Sequence, residues 1–233
     1  MEKEGRSKMR LNGFHIKWIA LLTMTLDHIA FFLLPLGSQL FLVLRLFGRI
    51  SFPLFAFLVS QAIHHSRRPW IYVFRLFAFG VMIESVVFVS IGSFYGNIFL
   101  TLALGALAGN LVAKRNGWSF LAIVLVFVQP LLNIFRFPFQ FQYGDYGILL
   151  IVLLSLFHSR KHVQAMLLVG VQAVLFFITP NEWLLRVFSS LSAIVVLMYD
   201  GKPGFRHPVM KTAFYLYYPL HLLAILAIRW FVI

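Results

Sequence analysis

Apolar runs of membrane-crossing length recur along almost the whole chain, separated by short polar breaks. A helix that crosses a bilayer takes about 20 mostly apolar residues. On that ruler nine spans are predicted, at 16–35, 40–62, 70–91, 97–113, 117–134, 145–158, 163–179, 183–199 and 212–231. Those at 97–113, 145–158 and 163–179 are short for the task. The breaks carry turn residues: Pro35-Leu36-Gly37, Arg67-Arg68-Pro69, the stretch 138–144, Thr179-Pro180-Asn181, and Gly201 to Pro208. No break is long enough to hold a soluble domain, and no internal repeat is visible. The expected fold is therefore all-α, a polytopic transmembrane bundle forming a single membrane-embedded domain over 1–233, with residues 1–14 as a basic cytoplasmic tail.

Composition supports this reading. Of the 233 residues 61% are hydrophobic and only 12% charged, with 27 Phe, and the mean hydropathy is +0.89. A water-soluble globule of this size has too much surface to hide that much apolar material.

The net charge of +13 would suggest nucleic acid on a soluble protein, but here the cations follow the breaks. With the N-terminus inside, the inner loops carry His64-His65-Ser66-Arg67-Arg68, Lys114-Arg115, Arg160-Lys161 and the Lys202/Arg206/Lys211 segment. The outer loops at 36–39, 92–96, 135–144 and 180–182 hold only Arg136. That alternation predicts a cytoplasmic N-terminus and an extracytoplasmic C-terminus, with lipid rather than nucleic acid as the partner. There is no Cys, hence no disulfide framework, thiol nucleophile or thiolate metal site. No cleavable signal peptide is expected, because the first apolar run lacks a small-residue cleavage site and contains Asp27-His28.

Charged groups at membrane depth cost about 2.5–3.5 kcal/mol each on insertion scales, so they need partners and often mark function. The first span carries Asp27-His28, the second Arg45 and Arg49 on one helix face, the third Glu84. The fourth begins with Asn97 and Thr101, the sixth with Asp145-Tyr146-Gly147, and the last holds Tyr217, Tyr218 and His221. His28, Arg49, Glu84 and His221 lie roughly 14–21 Å from their inner boundaries at 1.5 Å per residue, so one cavity is expected to gather all four. A structural alternative stands beside this: Asp27 and Glu84 neutralise Arg45 and Arg49, the two histidines are neutral core rings, and the tyrosines pack. His64, His65, His158, His162 and His207 read as surface residues, and His15 as an interfacial anchor. Zinc is unsupported, since the intramembrane histidines lie on separate helices without a spaced pair, and nothing specific favours haem. No P-loop, dinucleotide fingerprint or G-x-S-x-G elbow is present.

Seven ordered blocks are similar to those of the TraX family of integral membrane proteins, named for a conjugative-plasmid protein that acetylates the N-terminus of pilin. They are Lys17-Trp18-Ile19-Ala20 with Thr23-Met24-Thr25-Leu26-Asp27-His28; the run from Arg45 to Phe57; the run from Asn97 to Gly105; Asp145-Tyr146-Gly147; Tyr199-Asp200-Gly201-Lys202; and Phe214 through His221. The resemblance implies a multi-pass acyltransferase of the bacterial cytoplasmic membrane. Its acyl donor would be cytoplasmic acetyl-CoA, its acceptor a peptide amine, glycan or small molecule not fixed by the resemblance, and no metal would be needed.

Acyl transfer requires a base and a donor for the developing oxyanion. His28 is the expected base, with Asp27 or a neighbouring carboxylate orienting its ring, and His221 a second base or an oxyanion donor. Alternatively His28 is itself acylated. Arg49, Asn97 and Thr101 are expected to polarise the thioester carbonyl or hold the acceptor. Arg45, Asp145, Tyr217 and Tyr218 are further binding candidates from the motifs. Tyr199, Asp200 and Lys202 form a Gly turn where the donor's phosphates can approach. The competing class is a proton-coupled transporter or flippase using the Asp27, His28, Glu84 and Arg49 cluster. Against it, the two halves show no inverted repeat. A structural role in an envelope complex is the third possibility, for which no extramembrane domain is available.

Overall fold

Lipid offers backbone amides no hydrogen-bond partner, so a chain this apolar must satisfy them within helices. In a computed structural model of the protein, residues 10–92, 94, 96–114, 117–137, 139–144, 146–205 and 207–232 are described. Among them are twelve α-helices: α1 (Gly13–Leu33), α2 (Gln39–Gly48), α3 (Ser51–His65), α4 (Pro69–Ile91), α5 (Ile98–Ala113), α6 (Phe120–Val126), α7 (Val128–Ile134), α8 (Gly147–Leu156), α9 (Lys161–Ile178), α10 (Trp183–Ser190), α11 (Ser192–Leu197) and α12 (Pro208–Val232). No strand occurs among the described residues, only one bridge between Leu11 and Tyr199.

Every predicted span falls on helix, but they are not equal. Five segments are long and apolar enough to cross a bilayer: α1, the pair α2–α3 (Gln39–His65), α4, α9 and α12. The pair α6–α7 would be a sixth, bent by 50°. The run expected at 40–62 turns at Arg49-Ile50, that at 117–134 at Phe127, and that at 183–199 at Leu191. The 16-residue α5 and the 10-residue α8 are short and largely buried: both are apolar on nearly every side, as helices of an interior are. By contrast, only 17%, 22% and 17% of the apolar windows of α4, α9 and α12 are buried. The chain is a multi-pass membrane protein whose long helices turn apolar faces outward, as lipid requires.

The N-terminus of α1 is fixed locally. Asn12 caps it by accepting from the His15 N–H, while His15 Nδ1 accepts from the Asn12 N–H, so His15 serves as half of a capping box. Helix therefore begins at Gly13, within the stretch expected to be tail. Residues 1–9 of that tail lie outside the described residues.

Small residues bring the central helices together. A Cβ on Gly105 would collide with Ile151 of α8, and one on Gly109 would meet Ser155 at 2.6 Å. Close backbone approach of this kind drives helix association where lipid removes the hydrophobic incentive. Gly105→Val is accordingly expected to destabilise the fold by about 1–3 kcal/mol, the usual range for overpacking. A lowered melting temperature in detergent is the check, and an unchanged one would place the α5–α8 contact elsewhere.

Candidate functional site

The polar groups at depth separate into three clusters, not one cavity. The first joins the first helix to the last. His28 Nδ1 lies 2.7 Å from His221 Nε2, and His221 Nδ1 lies 2.8 Å from the Tyr217 carbonyl. A carbonyl only accepts, so His221 must carry its proton on Nδ1. Neutral His221 then accepts at Nε2, which requires His28 to donate from Nδ1. The lone pair of His28 is thereby assigned to Nε2, which makes no hydrogen bond among the described residues. Aromatic rings hold the pair: Tyr217 stacks on His221 with centroids 5.1 Å apart, and Tyr218 meets His28 edge-on at 6.1 Å and His221 at 5.6 Å. The Tyr217 hydroxyl is fixed by Thr25 at 2.7 Å. Since the Thr25 hydroxyl donates to the Leu21 carbonyl, Tyr217 is the donor there. Both tyrosines thus act as walls for the histidines.

The second cluster lies round the other side of α1. Arg45 donates to Asp27 Oδ2 at 2.7 Å and covers the rings of Phe31 and Phe41. Asp27 is therefore an ion-pair partner and does not orient His28; consecutive helical residues point about 100° apart. Helix α2 approaches closely enough for this because Gly48 faces Asp27: a Cβ there would fall 2.5 Å from Asp27 Oδ1. Arg49 donates to the Tyr143 hydroxyl at 3.3 Å. Tyr143 reaches it from the 139–144 segment in a left-handed conformation, φ 58°, stacked on Phe52 at 4.0 Å. Burial pushes the Tyr143 phenol up, with Arg49 opposing. Asp145, the neighbouring candidate, lies outside the described residues.

The third cluster corrects the expected position of Glu84. Its carboxylate accepts from the N–H of Gly96 at 2.9 Å, the N–H of Asn97 at 3.1 Å and Asn97 Nδ2 at 2.8 Å. It thus sits on the N-terminus of α5, where a negative charge is favoured, and clamps α4 to α5. Asn97 also caps α5 and donates to the Gly80 carbonyl, while Thr101 donates to the Gln142 carbonyl at 2.6 Å. The side-chain groups of Asn97 and Thr101 are engaged in holding the fold, away from the histidine pair.

The Tyr199 turn closes over the start of α1. Asp200 N–H donates to the Leu11 carbonyl, Gly13 N–H to the Lys202 carbonyl, and Lys202 N–H to Asp200 Oδ1. The Tyr199 ring packs on Phe57, whereas the Lys202 side chain is exposed. His64 and His158, expected as separate surface residues, stack with centroids 3.6 Å apart, and His64 bonds the Ser155 carbonyl.

One feature escaped sequence reading. A cavity of about 190 Å³ lies between α1, α3, α4, α5 and α12, lined by Lys17, Leu21, Met24, Phe99 and Tyr218 among others. Lys17, Leu21, Met24 and His28 recur at intervals of 4, 3 and 4 residues along α1, a single helix face. Met24, Phe99 and Tyr218 are part of its lining, and His28, outside the lining, meets Tyr218 edge-on.

The sequence model of the family described as TraX protein matches residues 12–229. The chain belongs to the TraX family. The match takes in both histidines, both intramembrane arginines and the cavity-lining stripe of α1. A relative from Dichelobacter nodosus described as "Probable fimbrial assembly protein FimC, serogroup H1" is 28% identical, over 94% of this chain and 96% of its own length. No solved structure matches.

The Asp27–Gly48 contact makes a prediction of sign. Gly→Ala inside a helix ordinarily stabilises by about 0.5–1 kcal/mol; Gly48→Ala should do the reverse, because its Cβ displaces the carboxylate paired with Arg45. Thermal unfolding in detergent decides it, and a raised melting temperature would contradict the contact.

Proposed function

We propose that this TraX protein is a membrane acyltransferase, moving an acetyl group from cytoplasmic acetyl-CoA to an amine or hydroxyl acceptor at or across the membrane. The observation that carries this reading is the histidine pair, whose backing carbonyl leaves an imidazole lone pair on His28 Nε2. It supports a base with a defined tautomer, the arrangement acyl transfer needs. Family membership agrees, and the fimbrial relative favours a peptide amine, such as a pilus subunit's, among possible acceptors.

The α1 stripe suggests the donor's route. We take the topology as nine passages, N-terminus inside, with α5, α8 and the α10–α11 pair as the short ones, in the bacterial cytoplasmic membrane. Lys17 then lies near the cytoplasmic face with the exposed Lys202 nearby, both suited to phosphates. From Lys17 to His28 is roughly 16 Å of helix at 1.5 Å per residue, a distance for the pantetheine arm to follow along the cavity. In the direct mechanism His28 Nε2 accepts the proton of the acceptor as its nitrogen or oxygen attacks the thioester carbonyl. The C–S bond then breaks, and the imidazolium returns the proton to the departing thiolate. In the two-step alternative Nε2 attacks the thioester carbonyl and the C–S bond breaks, expelling the thiolate; the acceptor then attacks the acetyl-imidazolium, which frees His28, and the acceptor's proton passes to the thiolate. His221 delocalises the positive charge in both.

Acetyl-CoA turnover by the purified protein, followed by thiol release, tests the proposal. Wild type should release thiol, and His28→Ala should lower the rate about 10²–10⁴-fold, the range for a lost general base. No turnover by wild type, or an undiminished rate in His28→Ala, would overturn it; proton-driven solute uptake dependent on Asp27 would then identify a transporter. Acetyl-histidine trapped without acceptor would select the two-step route.

A further inference from the structure

Arg45 and Arg49 share one helix face but not one fate. Arg45 is ion-paired, with Asp27 at 2.7 Å, and packs against two aromatic rings. Arg49 forms no ion pair among the described residues, where the pairs are Arg45–Asp27 and Arg186–Glu182. Its one hydrogen bond is the long contact to Tyr143, and its Nε is buried without a partner. Other groups nearby are equally unsatisfied. Asp27 Oδ1 is buried without a partner, and so are both amide atoms of Gln172, a residue only 2% exposed. Tyr146 lies among them, its ring edge-on to Tyr143 at 5.9 Å and under the Arg186 guanidinium at 5.7 Å, with Gln172 beside its phenol. Arg186 is committed elsewhere, to Glu182 at 2.6 Å and to Thr179.

Among the described residues three guanidiniums meet two carboxylates in this region, and Arg49, which feels Asp27 without a hydrogen bond to it, is the least satisfied of the three. An uncompensated buried cation is costly in a membrane protein, and a buried amide with neither donor nor acceptor satisfied adds to that cost. Strain accompanies it, since Tyr143 is a bulky residue at φ 58°, a conformation that tends to persist at functional sites. A guanidinium fork beside phenol and amide donors is built to receive an oxyanion.

We infer that Arg49, Tyr143, Tyr146 and Gln172 form an oxyanion-binding site, and that the molecule accepting the acyl group presents its carboxylate or phosphate there. Naming the ligand as the acceptor rests on the acyltransferase reading; the anion site itself does not. Asp27 and His28 are consecutive on α1, so the anion is held at the depth of the base. The acceptor class narrows accordingly, to amines or alcohols that also carry a carboxylate or phosphate.

The test uses the full chain in detergent, in chloride buffer without acetyl-CoA, titrated calorimetrically with acetate, inorganic phosphate and, as a cation control, choline. Wild type should bind at least one anion saturably at one site per chain and should not bind choline; which anion binds distinguishes a carboxylate from a phosphate ligand. Arg49→Met should weaken binding at least about tenfold, as loss of charge-assisted hydrogen bonds does. Gln172→Leu should weaken it severalfold, and Arg49→Lys should be intermediate. Without anion, Arg49→Met should melt close to wild type, because Arg49 makes one long hydrogen bond and no ion pair among the described residues. Binding of neither anion, unchanged binding in Arg49→Met, or a marked drop in its melting temperature would overturn the inference. Because acetyl-CoA is absent, the result stands or falls separately from acyl transfer.

Discussion

The hydrogen bond between His28 and His221 ties the first helix to the last, 193 residues apart in the chain. In lipid neither ring could find water, so each must find protein, and few arrangements allow that. The Tyr217 carbonyl at one end sets the direction of both protons, and that direction gives the pair its chemistry. Around it the aromatic walls, the Thr25 hydroxyl and the cavity beneath Tyr218 follow the same two helix faces. Helix α1 thus has two working sides. One carries the stripe from Lys17 to His28 along the cavity; the other carries Asp27 into the arginine cluster.

Small residues and buried loops set the remaining geometry. Gly48 lets α2 come close enough for Arg45 to reach Asp27, and Gly147 leaves room for Phe52, on which Tyr143 stacks. The segment 139–144 is held by Gln129, which accepts from the Phe141 N–H, and by Gly96, whose carbonyl accepts from Gln142. Glu84, at the start of α5, keeps α4 and that corner in register. None of these contacts is itself chemistry, but each fixes the position of a residue that is.

The helices were legible in the sequence because apolar length and polar punctuation are local signals. Which helices would be short was not, since α5 and α8 are distinguished by being surrounded, a property of the whole packing. Counting depth along each span brought His28 and His221 to one level, and they do meet. The same count misplaced Glu84, because depth says nothing about direction around a helix and the N-terminus of α5 offered a better partner. Adjacency suggests Asp27 as the residue that orients His28, but adjacent helical residues diverge, and the pairing with Arg45 that the structural alternative offers is the one formed. The stripe of Lys17, Leu21 and Met24, with His28 next on the same face, is present as spacing and becomes legible as a cavity wall only once α12 stands opposite. Tyr143 and Gln172 had no local signal: one lies in a loop that folds inward, the other in an apolar run far along the chain.

The pair of histidines holds one tautomeric arrangement, on which the proposed chemistry depends. Nitrogen-15 NMR of the histidine-labelled protein in lipid nanodiscs, assigned with His28→Ala and His221→Ala, tests it most directly. Protonated Nδ1 in both rings, a bare Nε2 on His28, and scalar coupling between His28 Nδ1 and His221 Nε2 are the predicted results. A proton on His28 Nε2 with a bare Nδ1, or no coupling between the rings, would contradict it.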